Sequence, residues 1–369
     1  MTRLQQDSLT AIGVISGTSM DAIDVSIVTS DGRDAVSFGA GVSYPYREST
    51  KRDLQALIAN AERALTEPLA ELEAAVTADH LAAIERFIAD HKLDPAQIDL
   101  VGLHGQTVYH RPQQRFTRQL IDGQAVADAL GIATVDRFRY ADVAAGGEGA
   151  PLAPLYHRAL AQALPQPVMV LNLGGVGNVT YIDGDTVIAF DTGPASAILD
   201  DFVMRRRGVA YDADGALAAS GQVHGYLVTD FMTNPYFERP APKSLDRNDF
   251  HRRAQVVEGL SDADGAATLA AFTIESIADA LRHVPRKPSR WLVGGGGRLN
   301  RHFMQKLNER LGVPVEPVEA AGWDGDALEA QVFAYLAIRS VKGLPLSLPG
   351  TTGVPEPLTG GRLNEPARS

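Results

Sequence analysis

An α/β fold divided between two domains is predicted for this chain by three observations. Strand-like and helix-like stretches alternate along its length, the pattern that builds layered α/β structure. The 369 residues exceed what one ordinary core holds, so two domains are the default. One local design also occurs twice, about half a chain apart: strand, glycine-containing turn, strand. The first copy is Ala11 to Ile15, the turn Ser16-Gly17-Thr18-Ser19-Met20-Asp21, and Ile23 to Thr29. The second is Val168 to Leu173, a break at Gly174-Gly175, and a strand resuming at Val179. The repeat reads as a duplicated α/β half.

The elements follow in order. After the first hairpin, Ala35 to Pro45 reads as a further strand. Leu54, Leu57, Ile58, Ala61 and Leu65 then recur at helical spacing, and Leu81, Ile84, Phe87 and Ile88 mark a second helix that ends at Leu93-Asp94-Pro95. Ile98 to Leu103 is a buried strand running into His104-Gly105-Gln106-Thr107. Ala125 to Leu130 is helical and Ala133 to Asp136 a strand, and the glycine-rich Asp142 to Leu152 is an irregular loop. Helix Leu155 to Leu164 stops at Pro165-Gln166-Pro167, a stiff link that separates domains 1–165 and 166–345. Beyond the second hairpin, Val187 to Phe190 is a short strand delivering Asp191 to a Thr-Gly-Pro turn. Helix Ala197 to Arg207 precedes a loose-ended helix over Asp212 to Gly225. Asn234 to Phe250, rich in proline and polar residues, reads as an excursion outside the core. Ala270, Ile274, Ile277, Ala278 and Leu281 form a helix stripe. Strand Trp291 to Val293 meets Gly294 to Gly297, and a helix covers Phe303 to Leu311. The last helix runs from Asp326 to Val341, and 346–369 reads as a tail.

Composition narrows the function. Hydrophobic residues at 45% and charged residues at 21% are those of a globular protein. A net charge of -11 argues against a nucleic-acid binder. The absence of cysteine excludes disulfides, thiolate metal sites and a cysteine nucleophile, and fits a cytoplasmic protein. No apolar run approaches the ~20 residues that span a bilayer, and no secretory leader is visible. The expected partners are small molecules.

Five candidates carry chemistry, each beside a plainer reading. Ser16 to Asp21 offers backbone and hydroxyl donors to a polyphosphate, without a Walker lysine, or is an ordinary turn. Gly294 to Gly297 either lets a nucleoside or its α-phosphate approach the backbone, or is a tight strand-to-helix connection needing only one or two glycines. Asp191 serves as general base or metal ligand, or caps the Thr192-Gly193 amides; its place beside a second glycine loop favours the former. Glu329 faces a ligand or completes a capping pattern with Asp326. His104 is a sugar contact or a satisfied buried histidine.

Together these stretches resemble the anhydro-N-acetylmuramic acid kinase family over nearly the whole chain. The resemblance is carried by Gly17-Thr-Ser-Met-Asp21, Leu103-His-Gly-Gln-Thr107, Asp142-Val-Ala-Ala-Gly-Gly147 with Gly149-Ala-Pro-Leu152, and Leu171-Asn-Leu-Gly-Gly175 with Asn178-Val-Thr180. Phe190-Asp-Thr-Gly-Pro194, Asp214-Gly215, Pro242-Lys-Ser244, Gly294-Gly-Gly296 with Asn300, and Thr352-Gly353 complete it. It implies an actin-like, ribonuclease H-like two-domain ATPase fold with nucleotide and sugar in the interdomain cleft. It implies an ATP- and Mg2+-dependent kinase of peptidoglycan recycling, with Asp191 as catalytic base. Gly17, Thr18, Ser19, Met20, Asp21, Ala22, Ile23 and Asp24 would hold ATP phosphates. Gly174, Gly175 and Gly193 would form the second phosphate loop, and Gly294, Gly295 and Gly296 would line the nucleoside. His104, Arg139 and Glu329 fall where the family contacts sugar, and Asp191 and Glu329 are its metal candidates. A homodimer stays open. The chain departs from the family at Ala22 and at Ala195-Ser196, where glycine and Gly-Asn are usual, and at Arg137, Glu148 and Leu245-Asp246. Those changes bear on sugar specificity, since a methyl restricts backbone approach and an added carboxylate repels an acidic sugar. A different anhydrosugar such as levoglucosan, or a silent nucleotide-binding relative, are the alternatives.

Overall fold

A computed structural model describes residues 3–17, 20, 22–245 and 250–367, which gather into two compact units. The first comprises Met1–Gln162 and Asp326–Ser369, the second Ala163–Gly325. Strands β1 (Leu9–Ser16), β2 (Ile23–Ser30), β3 (Val36–Tyr44), β4 (Leu100–Arg111), β5 (Phe116–Leu120) and β6 (Thr134–Asp136) belong to the first. Strands β7 (Val168–Leu173), β8 (Val176–Asp183), β9 (Thr186–Pro194), β10 (Arg290–Gly294) and β11 (Val315–Pro317) belong to the second, and β12 (Arg362–Asn364) returns to the first.

The first sheet runs β12-β6-β4-β1-β2-β3, with β5 paired to β4. Its opening three strands form an antiparallel meander, and β4 and then β6 add in parallel on the other side of β1. The second sheet runs β11-β10-β7-β8-β9 with the same senses. Each unit thus repeats the order 3-2-1-4-5 with its second strand reversed, which is the ribonuclease H-like arrangement. The duplication read from two short segments extends to entire sheets.

Glycine fixes how the first sheet meets its helix. Gly13 and Gly102 are register partners on β1 and β4. A methyl group on either would stand 1.9 Å from the Ala330 carbonyl oxygen or 2.1 Å from that of Phe333. Helix Leu328–Val341 therefore lies with its backbone against the sheet, a closeness only glycine permits. Val332 to Ile338 on that helix are all buried. In the second unit the core is aromatic, with Phe202, Phe237, Phe250, Phe272 and Trp291 buried together.

The helix and tail assignments at the C-terminus need correcting. The last helix belongs to the first unit because Gly13 and Gly102 receive it there, so the second domain does not extend to 345. Residues 346–367 are packed on the first unit and do not hang off as a tail: Thr352 is buried, β12 pairs with β6, and Arg362 binds Asp136 at 2.6 Å. Within the stretch expected to lie outside the core, Tyr236, Phe237 and Phe250 enter it, and 246–249 lie outside the described residues. The third strand of the second hairpin runs on through Asp191 to Pro194 instead of turning. The stripe from Leu54 to Leu65 breaks into helices Glu48–Ile58 and Arg63–Thr66, and the expected helix over 212–225 shrinks to Ala216–Ser220. Among the described residues no helix is long and apolar enough to cross a membrane.

Candidate active site

In the first unit the loop joining β1 to β2 is closed by the Met20 amide, which donates to the Gly17 carbonyl at 3.1 Å. Thr18, Ser19 and Asp21 lie outside the described residues. The left-handed residue is Met20, with φ 55°; Ala22 needs no positive φ, so its methyl strains nothing. Gln106, fully buried on β4, anchors the loop. Its amide donates to the Gly17 carbonyl at 3.3 Å and its oxygen accepts from the Ser16 hydroxyl. Gln106 stands in the stretch Leu103 to Thr107, yet nothing in the sequence marks it as the anchor. Ile23 and Asp24 open β2, and the Asp24 carboxylate accepts the Ser43 hydroxyl at 2.5 Å. Burial pushes Asp24 above the usual carboxylate range, and Asp326 adds to the effect against the Ser43 hydrogen bond.

The three sugar-side candidates fall near one another in this unit. Arg139 donates Nε–H to His104 Nε2 at 2.9 Å, and His104 Nδ1 bonds the Gly105 carbonyl at 2.8 Å. Both ring nitrogens are engaged, so His104 is a satisfied buried histidine that orients Arg139. Burial and the neighbouring guanidinium hold its pKa well below the usual range, which keeps it neutral and accepting at Nε2. Arg139 is itself lowered to about 10 by burial, with the charges of Glu329 and Asp142 opposing the fall. Its Nη1 donates to the Gly149 carbonyl at 2.6 Å. Glu329 sits in the first turn of helix Leu328–Val341, whose N-cap position is Ala327. The loop after Asp142 is tightly tied. Asp142 is buried, and its two oxygens accept the Gly149 amide and the Thr352 hydroxyl, each at 2.6 Å. The Glu148 amide donates to the Thr352 carbonyl at 2.7 Å.

In the second unit Asp191 lies beside a bulge on its own strand β9: Asn178 pairs Asp191 while Gly177 pairs Gly193, so Thr192 is the extra residue. A bulge re-aims the side chains around it. The Asp191 carboxylate accepts the Leu245 amide at 2.8 Å, from a segment distant in sequence. Its own amide donates to the Lys243 carbonyl at 2.9 Å, and its carbonyl accepts the Tyr236 hydroxyl. Asp246, one of the departures, lies outside the described residues.

The glycines separate by cause. A methyl on Gly193 would stand 2.9 Å from the Ser276 side chain, so helix Asp262–Asp279 already requires glycine there. A methyl on Gly174 or Gly175 would meet nothing closer than 3.5 Å. Their carbonyls accept the Ala195, Ser196 and Ala197 amides at 3.0–3.3 Å, which secures the start of helix Ser196–Arg207. Ala195 has φ -117° and ψ -114° and a fully buried methyl, so this departure adds to the core. Gly294 ends β10. Methyls on Gly295 and Gly297 would fall 2.4 Å from Asn172 Oδ1 and Leu173 Cγ, whereas Gly296 has nothing within 4 Å. Close packing thus demands two of the four glycines, and Gly296 is left with open space. Asn300 caps the next helix through the Phe303 amide at 3.0 Å, and a methyl on Gly215 would stand 2.4 Å from its Oδ1. That contact brings two separate motifs together.

Among the described residues no three His, Cys, Asp or Glu gather closely enough to cage a metal ion. Mg2+ usually keeps several waters and takes one or two carboxylates together with substrate phosphates. Asp191 and Glu329 fit that kind of single-carboxylate ligation.

Comparison with known proteins identifies the lineage. The family model for anhydro-N-acetylmuramic acid kinase matches residues 9–364. The anhydro-N-acetylmuramic acid kinase of Rhodospirillum rubrum is 51% identical, covering 95% of this chain and 93% of the relative. That of Rhodopseudomonas palustris is 48% identical, covering 97% of this chain and 100% of the relative. Among solved structures, component A of the Acidaminococcus fermentans (R)-2-hydroxyglutaryl-CoA dehydratase aligns at TM-score 0.48 and 13% identity, over 89% of this chain and 99% of that one. A ROK family glucokinase from Streptomyces griseus aligns at 0.39 and 17%, with the same coverage. With half its residues identical to one such enzyme and a match through both sheets, the chain belongs to the anhydro-N-acetylmuramic acid kinase family, a family of sugar kinases.

Proposed function

We propose that this protein opens the 1,6-anhydro bridge of anhydro-N-acetylmuramic acid with water and transfers the ATP γ-phosphoryl group to O6. The products are N-acetylmuramic acid 6-phosphate and ADP, and the role is recycling of peptidoglycan fragments in the cytoplasm. The observation that carries the reading is Asp191, kept in place by a foreign amide at its carboxylate. The carboxylate takes a proton from water as the water oxygen bonds the anomeric carbon. The C1–O6 bond breaks, O6 bonds the γ-phosphorus, ADP leaves, and Asp191 returns its proton to solvent. Protein donors meet the charge that gathers on the transferring phosphoryl group.

The remaining roles are proposed on the same basis. Gly17, Thr18, Ser19, Met20, Asp21, Ala22, Ile23 and Asp24 serve the ATP phosphates from the first loop. Gly174, Gly175 and Gly193 serve them from the second, and Gly294, Gly295 and Gly296 adjoin the nucleoside. Arg139, oriented by His104, and Glu329 contact the sugar. Bound Mg2+ would neutralise phosphate charge, with Asp191 and Glu329 the carboxylates offered to it. Whether the chain pairs as a homodimer is a separate question for solution measurement.

The test is ADP release from Mg-ATP with anhydro-N-acetylmuramic acid, levoglucosan or no sugar, with mass detection of a product that gains water and phosphate. Only the muramic substrate should stimulate. Asp191→Asn should lower turnover at least ~100-fold with ATP affinity nearly unchanged. Near-normal turnover in that variant refutes the assignment of Asp191.

A further inference from the structure

We propose that Lys243 is the positioning residue for Asp191: its buried ammonium ties together the segment that grips this aspartate. The inference rests on the reading of Asp191 as the base.

Residues 236–245 place three hydrogen bonds on Asp191. The Tyr236 hydroxyl donates to the Asp191 carbonyl, the Lys243 carbonyl accepts the Asp191 amide, and the Leu245 amide donates to Oδ2. The two ends of that segment are cross-tied by one group. Lys243 Nζ donates to the carbonyls of Tyr236 and Phe237, each at 3.3 Å, and to His283 Nε2 at 3.2 Å. It also stands 4.7 Å from the centre of the Tyr236 ring and 5.9 Å from that of Phe190, the residue preceding Asp191. The same cation thus reaches Tyr236, which bonds the Asp191 carbonyl, and Phe190, which flanks it.

This is an unusual use of a lysine. Lys243 is 3% exposed, and the Asp279 carboxylate supports its charge from across His283, whose Nε2 lies 3.2 Å from the ammonium and 3.9 Å from Asp279 Oδ2. Aromatic faces and carbonyl oxygens compensate a buried cation only in part. Filling the same space with an apolar side chain is commonly neutral or stabilising, so packing alone gives no reason to keep the charge. What an apolar side chain cannot do is donate to both carbonyls at the Tyr236 end while its own backbone holds Asp191. Without that tie the 236–245 segment loses its internal brace, and the Leu245 amide no longer stays aimed at the carboxylate. A general base misplaced by about an ångström costs on the order of 100-fold in rate.

The experiment compares kcat and both KM values for wild type, Lys243→Met, Lys243→Arg, Asp191→Asn and the Lys243→Met/Asp191→Asn double variant, with melting temperature as the check on folding. Lys243→Met is expected to lower kcat at least ~10-fold while the KM values for ATP and sugar stay within about 2-fold. Lys243→Arg, which keeps a cation and several donors, should recover much of that loss. The double variant should be no slower than Asp191→Asn alone, because Lys243 acts through Asp191. If Lys243→Met does not fold, Lys243→Gln takes its place in the same comparison. Full kcat in a folded variant lacking the ammonium, or losses that add in the double variant, overturn the proposal. Full turnover in Asp191→Asn instead overturns the reading of Asp191 itself, so the two failures are told apart.

Discussion

Gly295 and Gly296 stand next to each other in sequence but answer to different constraints, and a paired substitution separates them. Gly295 has φ 74° and ψ 171°, a region reserved almost wholly for glycine. Alanine there costs about 1–3 kcal/mol in backbone strain. Its methyl would also stand 2.4 Å from Asn172 Oδ1 and 2.9 Å from the Leu173 backbone, adding about 1–3 kcal/mol of overpacking. The sum, about 2–6 kcal/mol, corresponds to a fall of roughly 5–20 °C in the melting temperature of a unit this size. Gly296 has nothing within 4 Å and no positive φ, so alanine should shift stability by less than about 0.5 kcal/mol. If the open backbone at Gly296 adjoins the nucleoside, however, the added methyl should weaken ATP binding by about 10-fold or more. Melting curves and calorimetric titration with ATP read the two effects independently. A Gly295→Ala variant that melts like wild type refutes the packing account. A stable Gly296→Ala variant with unchanged ATP affinity removes Gly296 from the nucleotide site.

Glu329→Gln separates a sugar contact from a cap: loss of a sugar contact should raise the KM for sugar about 10-fold with the melting temperature within about 1 °C of wild type, whereas a large stability loss with normal kinetics assigns Glu329 to capping. Thr352→Val removes the hydroxyl donor to a buried Asp142 oxygen and should cost the first unit about 1–3 kcal/mol in a urea titration, where a detached tail would cost nothing. His80, His110 and His157 are each lowered by burial from 6.5 to about 4. The unfolded chain therefore binds these protons below about pH 6.5 while the folded first unit resists them until near pH 4. Stability should be fully present above that window and fall through it as pH drops, by on the order of 1.4 kcal/mol per pH unit for each histidine. A melting temperature that stays flat from about pH 7 to about pH 4.5 refutes this linkage.

The two hairpins were legible because their turns are short and marked by glycine, so the strands on either side could be read locally. The last helix was legible as a helix, but its partner was not. Gly13 and Gly102 lie far from it in sequence, and a glycine inside a strand does not say which backbone will approach it. The reading of 234–250 failed because Pro235, Pro240 and Pro242 drew attention away from Tyr236, Phe237 and Phe250, whose rings carry the burial. Asp191, Arg139 and Glu329 could be named from motifs. Gln106 beneath the first loop and Lys243 behind Asp191 stand in motifs too, but their roles could not be read there because they act through hydrogen bonds that only the fold creates. The contacts of His104 were not legible either, since a side chain with both nitrogens engaged leaves no trace of that in a sequence.

The first unit is discontinuous in sequence, and this sets an order on the protein's synthesis. Its β4 is complete at Arg111, but the helix that covers Gly13 and Gly102 begins only at Leu328. At ordinary translation rates of about 5–20 residues per second, some 10–40 s separate the two events. Through that interval a growing chain carries an apolar sheet face with no cover, while Ala163–Gly325, an unbroken stretch, has all of its own strands. The later part of the chain can thus finish folding before the earlier part, and the nascent first sheet is the natural client for a ribosome-associated chaperone.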